Sequence, residues 1–198
     1  MSLKNALYYE NYENYDVFES KVRDHSLYNT WKLVADTLKK DHQHSNILQV
    51  ECGAGFLVHL LMKDYQFTNV HGIDLRSDLI DRFKKLNPNI QSNVSNFNYF
   101  RLSDKDLNRY DVFVFSKILE YCENDLAYIE RIPKGKTIVI LYPSNDDGLC
   151  LHHFAYLSHL ESYLSKLVTI TDATQVEIFK NSEYMVDNKL NLIFGIKK

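Results

Sequence analysis

Glycine and proline are scarce in this chain, six and three among 198 residues, against a usual glycine share of about 7%. That excludes low-complexity linkers and collagen-like repeats, and it gives weight to any place where glycines gather. Cysteine is also rare: Cys52, Cys122 and Cys150 cannot all pair and show no C-x-x-C spacing. A disulfide framework and a zinc ribbon are therefore excluded, and the three read as reduced intracellular thiols with Cys52 buried. No run of about 18 apolar residues occurs and no secretory pattern opens the chain, so a cytoplasmic protein that does not span a membrane is expected. Positive charge is not in excess either. Lysine and arginine number 23 against 26 acidic residues, a net charge of −3, so the broad basic footprint of a nucleic-acid binder is missing.

What is present is an ordinary globular composition, 45% apolar and 25% charged, with 14 tyrosines and 11 phenylalanines. The length suits one domain over 1–198 with a single large core. Residues 1–45 read as an N-terminal helical and aromatic cap, and 46–198 as the core.

The core is organised around Ile47-Leu48-Gln49-Val50-Glu51-Cys52-Gly53-Ala54-Gly55-Phe56-Leu57. A short apolar run, as in a buried strand, passes into helix-forming residues, and two of the six glycines stand where the strand becomes a helix. Glycine there permits positive φ and lets the backbone approach a ligand with no Cβ in the way. The following helix offers free N–H groups and a positive dipole end. A dinucleotide fingerprint would need a third glycine, and Val58 stands there instead. Glu51, two residues before the first glycine, would repel a pyrophosphate and suits a cationic or amine-bearing ligand.

Before this stretch, Tyr8, Tyr9, Tyr12 and Tyr15 recur in a polar segment. They form either a lid over a ligand or an aromatic clamp on the outside of the domain. From Glu19 to Lys40 the apolar positions Val22, Leu27, Trp31, Val34, Ala35 and Leu38 make a helical stripe. His42 and His44 lie in the polar loop that follows; without a carboxylate or cysteine framework they read as solvated.

After the glycine loop, Asn69–Leu75 reads as a second strand ending in Asp74, 21 residues beyond Gly53. That is close to the spacing of about 20 at which a carboxylate meets ribose hydroxyls. Ser77 or Asp78 serves equally to cap the next helix, so Asp74 is not needed for that. Pro88 stops that helix, and Asn89–Ser95 is expected to be the third strand. Tyr110–Ser116 is the clearest strand of the chain and leads into Lys117-Ile118-Leu119-Glu120-Tyr121. Pro133-Lys134-Gly135-Lys136 turns into the strand Thr137–Pro143. A helix opened by His152 and His153 follows, then a sixth strand, broken between Val168–Ile170 and Val176–Phe179, and a seventh from Tyr184 to Ile196.

The order of these strand-end features resembles the class I S-adenosylmethionine-dependent methyltransferases. Glu51-Cys52-Gly53-Ala54-Gly55 is similar to their first motif, Ile73-Asp74-Leu75 to their second, and the segment around Ser116–Tyr121 to the part facing the methyl group. The resemblance implies an α/β, Rossmann-like sheet of seven strands in the order 3-2-1-4-5-7-6, strand 7 antiparallel, with helices on both faces. It implies S-adenosylmethionine as cofactor and a methyl transfer to a small-molecule acceptor. Cofactor contacts implied are Glu51, Gly53, Ala54, Gly55, Asp74, Leu75 against adenine, Asn93 with Val94 in place of the family's aspartate after the third strand, and Ser116. For Asn93, Ser95 or Asn96 stands in if the register shifts. Acceptor contacts implied are Glu120 and Tyr121. Tyr15, on the three-residue tyrosine spacing of the N-terminal segment, and His152, at the start of the later helix, are added as candidates because both ends of the chain are rich in aromatic residues of the kind that line small-molecule pockets. No general base is assigned, and neither a metal nor an oligomeric state is read. Three other readings stay open: a nicotinamide or nucleotide-sugar enzyme, a methyltransferase acting on RNA or protein, and a non-catalytic module that keeps the fold.

Overall fold

The computed structural model describes residues 14–24, 27–116, 125–143, 157–177 and 189–198. The stripe predicted over Glu19–Lys40 is divided between two helices, α1 (Tyr15–Asp24) and α2 (Tyr28–Asp41). Asn14 starts the first: its Oδ1 accepts the Val17 N–H at 2.9 Å, satisfying one of the orphan donors of a helix start. Phe18 and Val22 of α1, and Trp31, Val34, Ala35 and Leu38 of α2, are buried.

The alternating part of the chain follows as β1 (Ile47–Val50), α3 (Phe56–Lys63), β2 (Val70–Asp74), α4 (Ser77–Leu86), β3 (Val94–Asn96), α5 (Asp104–Asn108), β4 (Val112–Ser116), α6 (Asp125–Glu130) and β5 (Thr137–Pro143). It closes with α7 (Leu157–Leu164), β6 (Val168–Glu177) and β7 (Lys189–Lys197). One seven-stranded sheet results, in the order β3-β2-β1-β4-β5-β7-β6. The first five strands are parallel, and β7 runs antiparallel to both of its neighbours. This is the expected order. Strand β6 is continuous rather than broken, because a register shift between Ile170 and Asp172 absorbs the irregular stretch.

Apolar side chains fill both faces, as a parallel sheet under helices requires. On one face Ile47, Val70, Val112, Val114 and Val139 pack with residues of α1 to α4. On the other, Leu48, Val50, Phe113, Phe115, Ile138 and Ile140 pack with Leu107, Ile129, Leu160 and Leu164. Each fully buried aliphatic side chain contributes roughly 1.5–3 kcal/mol, which holds the strand ends in fixed relation.

The third strand departs from expectation. Pro88–Asn93 forms a 3-10 helix, not a strand, leaving β3 only Val94–Asn96. Proline presets the first turn, and the Ile90 N–H bonds back to Asn87 O at 3.0 Å. Ile90 is the one apolar residue of that stretch and is buried, so no alternation is present to sustain a strand.

All five parallel strands end at the same edge, at Val50, Asp74, Asn96, Ser116 and Pro143. The chain builds outward from β1 to β3, then crosses back to place β4 on the other side of β1. The crevice outside the carboxyl ends of β1 and β4 is the topological switch point where open α/β sheets take ligands.

Candidate active site at the carboxyl edge of the sheet

The turn from β1 to α3 has three left-handed positions at alternate residues: Glu51 at φ 51°, Gly53 at 58° and Gly55 at 75°. Glycine adopts this conformation freely, whereas a residue with a Cβ gives up about 1–2 kcal/mol. Among the described residues only Glu51 and Gln66 do so without being glycine. Gly55 caps α3 and has a packing reason besides: a Cβ there would lie 2.5 Å from Phe83 Cδ2 of α4. Its N–H donates to Cys52 O at 3.0 Å, and the Cys52 N–H to Ile73 O at 2.9 Å, which anchors the turn to β2.

Asp74 joins the two neighbouring turns. It is buried at 6% exposure; Oδ2 accepts the Gly53 N–H at 2.7 Å and Oδ1 the Arg76 N–H at 2.8 Å. Each carboxylate oxygen keeps a further lone pair, so this bracing does not exhaust its capacity as an acceptor. Glu51 sits beside it, with the Leu75 N–H acting weakly on its carboxyl. Burial, and then the charge of Asp74, push the Glu51 carboxyl up to about 7, against the weaker pull of that N–H. The Cys52 thiol is pushed well up by burial, then by Asp74 and Glu51. It is a packed thiol and not a nucleophile.

Apolar surface borders these acids. Leu75 is 57% and Phe97 40% exposed, and the Phe97 N–H donates to Asp74 O at 3.0 Å, as does Asn96 Nδ2 at 3.0 Å. At the end of β4, Ser116 Oγ accepts from Trp31 Nε1 of α2 at 3.3 Å.

Of the expected cofactor contacts, Glu51, Gly53, Ala54, Gly55, Asp74 and Leu75 come together at β1 and β2, with Ser116 at the neighbouring strand end, on β4. Ala54 is buried and adds backbone only. Asn93 and Val94 do not join them. The 3-10 helix uses up the residues before β3, so Asn93 stands at its amino end, where Nδ2 donates to Val70 O, the first residue of β2, at 2.8 Å. Val94 is buried in the core. The register pairs Asp74 with Asn96, so Asn96 and Phe97 occupy the edge instead.

Tyr15 is also displaced. Helix α1 lies along α3, with the Phe18 ring 5.1 Å from Phe56 and 5.2 Å from His59. Tyr15, one turn earlier, meets His59 at 5.9 Å and borders a groove of about 500 Å³ with Lys63, Asn87 and Pro88. That is the end of α3 away from the loop. Glu120, Tyr121 and His152 lie outside the described residues.

Sequence reasoning did not assign Trp31 to this edge. A lone tryptophan on an amphipathic stripe signals core in general, and only the fold shows its indole reaching Ser116. Phe97, Tyr99 and Phe100 read from the sequence as aromatic surface near this edge, more often core than pocket; Tyr99 is buried, whereas Phe97 and Phe100 are exposed. Among the described residues no group of three or more histidines, cysteines or acids is arranged to hold a metal. No described helix is long and apolar enough to cross a membrane.

Solved structures share this architecture. An N-methyltransferase NodS from Bradyrhizobium japonicum WM9, in complex with S-adenosyl-L-homocysteine, matches over 85% of this chain and 86% of its own, with 17% identity and a TM-score of 0.64. The magnesium protoporphyrin IX methyltransferase ChlM from Synechocystis PCC 6803, with the same ligand, matches over 98% and 93%, at 12% identity and a TM-score of 0.66. The plantazolicin methyltransferase BpumL, in complex with a pentazolic desmethylPZN analogue and S-adenosylhomocysteine, matches over 99% and 96%, at 16% identity and a TM-score of 0.63. No family model and no curated protein matches the chain. The chain has the class I methyltransferase fold.

Proposed function

We propose that this protein is an S-adenosylmethionine-dependent methyltransferase whose acceptor is a small molecule. One observation carries the reading. At the switch point of this sheet, a left-handed glycine turn is held by a buried Asp74 through the Gly53 N–H at 2.7 Å, beside exposed Leu75 and Phe97. The residues fit the cofactor. Carboxylates and no pyrophosphate cradle line the turn, Asp74 keeps lone pairs for ribose hydroxyls, and Leu75 and Phe97 offer apolar faces for a base. Structural neighbours with this sheet are methyltransferases that hold the demethylated cofactor, which supports the assignment.

When bound, the cofactor supplies a methyl group made electrophilic by a sulfonium. The chain's own task is then alignment, and orientation of reacting groups is worth roughly 7–11 kcal/mol in favourable systems. Gly53 leaves room for the cofactor's backbone, Asp74 fixes the turn, and Trp31 locks Ser116 at the end of β4 (3.3 Å). Asn96 and Phe97 replace Asn93 and Val94 in the proposed base-binding part. Residues 1–198 are proposed to act as one domain, with 1–45 as the cap. A net charge of −3 and an acidic edge disfavour the phosphate contacts that an RNA acceptor needs.

The test is calorimetry of the full chain with S-adenosylmethionine, S-adenosylhomocysteine and NAD, followed by a methyl-donor turnover assay against pools of small metabolites. Binding of the first two and not of NAD is expected, with homocysteine-form product appearing on a metabolite fraction. Binding of NAD alone would overturn the reading.

A further inference from the structure

We propose that the groove at the amino edge of the sheet, between Asn46, His71, Arg109 and Tyr110, binds a small molecule that carries a carboxylate or phosphate group. This second site lies away from the methyl-transfer edge and does not rest on the methyltransferase reading.

The strand order brings the four residues together. Asn46 stands just before β1, Arg109 and Tyr110 just before β4, and His71 is the second residue of β2. Strands β2, β1 and β4 are adjacent, and near their amino ends these four side chains line a groove of about 250 Å³. Pockets for drug-sized ligands run from roughly 300 to 1,000 Å³, so this one suits a smaller body.

The polar chemistry of the groove is uncommitted. Among the described residues, the side chains of Asn46, Arg109 and Tyr110 make no hydrogen bond or ion pair. His71 Nδ1 is buried and has no partner, which leaves Nε2 as the nitrogen the ring can offer. A buried polar atom without a partner calls for a reason. Here nothing bonds Nδ1, so the ring proton is free to sit on Nε2. The guanidinium fork, the phenol, the amide and that imidazole N–H are all donors, and no carboxylate lines the groove. A guanidinium grips a carboxylate or phosphate through two parallel N–H bonds.

The acids nearby are already engaged. Asp111 accepts the Asn46 N–H at 3.0 Å and receives Lys136 Nζ at 3.3 Å. Asp106 Oδ2 accepts the Ser103 N–H at 3.2 Å and the Ser103 hydroxyl at 2.6 Å. Its charge is felt by Arg109 and Tyr110 without an ion pair being formed. Arg109 is the cation left over. Burial first, and then Arg109, hold the His71 imidazole below its usual range, so the ring is uncharged at neutral pH and donates a single N–H. A cation after the last turn of α5 also suits the helix dipole, but α5 has only five residues, and a dipole does not account for His71. The His71 and Tyr110 rings, 5.7 Å apart at 72°, add a corner of aromatic surface for the body of the ligand. Tyr110 is steadied in turn by Phe113 at 6.1 Å.

The experiment is heteronuclear NMR of the full chain at neutral pH, following the ring signals of its eight histidines, with His71→Gln to assign the one concerned. Sodium phosphate and sodium benzoate are titrated separately at constant ionic strength, against sodium chloride alone. The His71 signals are expected to move saturably with one or both oxyanions and not with chloride. Saturation by phosphate alone identifies a tetrahedral oxyanion as the ligand group, by benzoate alone a carboxylate on a flat body, and by both the oxyanion itself. Arg109→Gln should weaken binding about tenfold, the lower end of what a hydrogen bond to a charged group is worth, because the guanidinium is exposed. Tyr110→Phe should weaken it less. Arg109 lies on the surface, so the rest of the variant's spectrum should match wild type. Shifts at His71 that never saturate, shifts that chloride reproduces, or an unchanged affinity in Arg109→Gln overturns the inference.

Discussion

The two edges of the sheet treat their acids in opposite ways. At the amino edge, Asp111 accepts the Asn46 N–H at 3.0 Å and receives Lys136 Nζ at 3.3 Å. That N–H first, and then the lysine, outweigh burial and hold its carboxyl below the usual range. Nearby, His42 is shared between Ser45 Oγ at 3.2 Å and Thr137 Oγ1 at 3.4 Å. At the carboxyl edge, Glu51 is pushed up to about 7 by burial and by a second acid, on a backbone that prefers glycine, with Leu75 and Phe97 open to solvent. Local rules are met at one edge and broken at the other, and such breaks are expected where a protein does its work.

The largest effect on that comparison should come from the turn's packing. Gly55→Val forces a branched side chain into positive φ and against Phe83, where even a Cβ would sit at 2.5 Å. Strain of about 1–2 kcal/mol and overpacking of about 1–3 kcal/mol predict a loss of several kcal/mol in urea unfolding. Gly53→Ala adds only a methyl group at φ 58°, with strain of about 1–2 kcal/mol, and is expected to lose cofactor binding at a smaller cost in stability than Gly55→Val.

Asp74→Ala comes next. It frees the Gly53 and Arg76 N–H groups that the carboxylate holds at 2.7 and 2.8 Å. Hydrogen bonds to a charged group are worth roughly 1.5–3 kcal/mol, so stability and cofactor binding should fall together. Asp74→Asn keeps one acceptor and should lose less of each. If Asp74→Ala weakened binding with unchanged unfolding, its bracing of the turn would be negligible.

The β1–α3 turn was legible because its signals are local: a buried apolar run, paired glycines and an acid about 20 residues on; the sheet order was implied by the family resemblance that these signals carry. Three features were not legible. The backbone state of Glu51 has no sequence signature, since glutamate avoids positive φ and the turn alone imposes it. The position of β3 depended on whether Asn89–Asn93 extends or coils, and one buried Ile90 cannot establish an alternation. Tyr15 was placed by spacing along its own helix, which says nothing about which end of α3 it packs on. That was decided by Phe18 wedging between Phe56 and Phe83, at 5.1 and 5.9 Å.

A pH scan sharpens the contrast between the acids with a smaller effect. Glu51 has a folded value raised from 4.5 to about 7, so its contribution to stability is complete below the unfolded value and lost as pH rises through about 7. Glu51→Gln should therefore gain melting temperature relative to wild type between pH 5 and 8, at ~2–4 °C for each 1 kcal/mol at this length. Asp111, shifted down, has the reverse sign: its contribution is present above the unfolded value and fades only as pH falls through the lower, folded one. A Glu51→Gln difference that shrank with rising pH would contradict the burial of that carboxyl.

The smallest effect belongs to Lys136→Ala. Its ammonium lies 3.3 Å from Asp111 Oδ1, with the aspartate side chain 47% exposed, so solvent screens the pair and its removal should cost only about 0.2–1 kcal/mol. Asp111 keeps its stronger partner, the Asn46 N–H, so the amino edge stays closed. The loss should shrink further in high salt, because exposed charges are screened within about a Debye length. Cofactor affinity should not move, since the pair lies at the opposite edge from Glu51 and Asp74. Urea unfolding at low and high salt, with calorimetry on the same samples, checks both parts. A change in cofactor affinity as large as that in Asp74→Ala would mean that the two edges are coupled through the strands, and the division drawn between them would not hold.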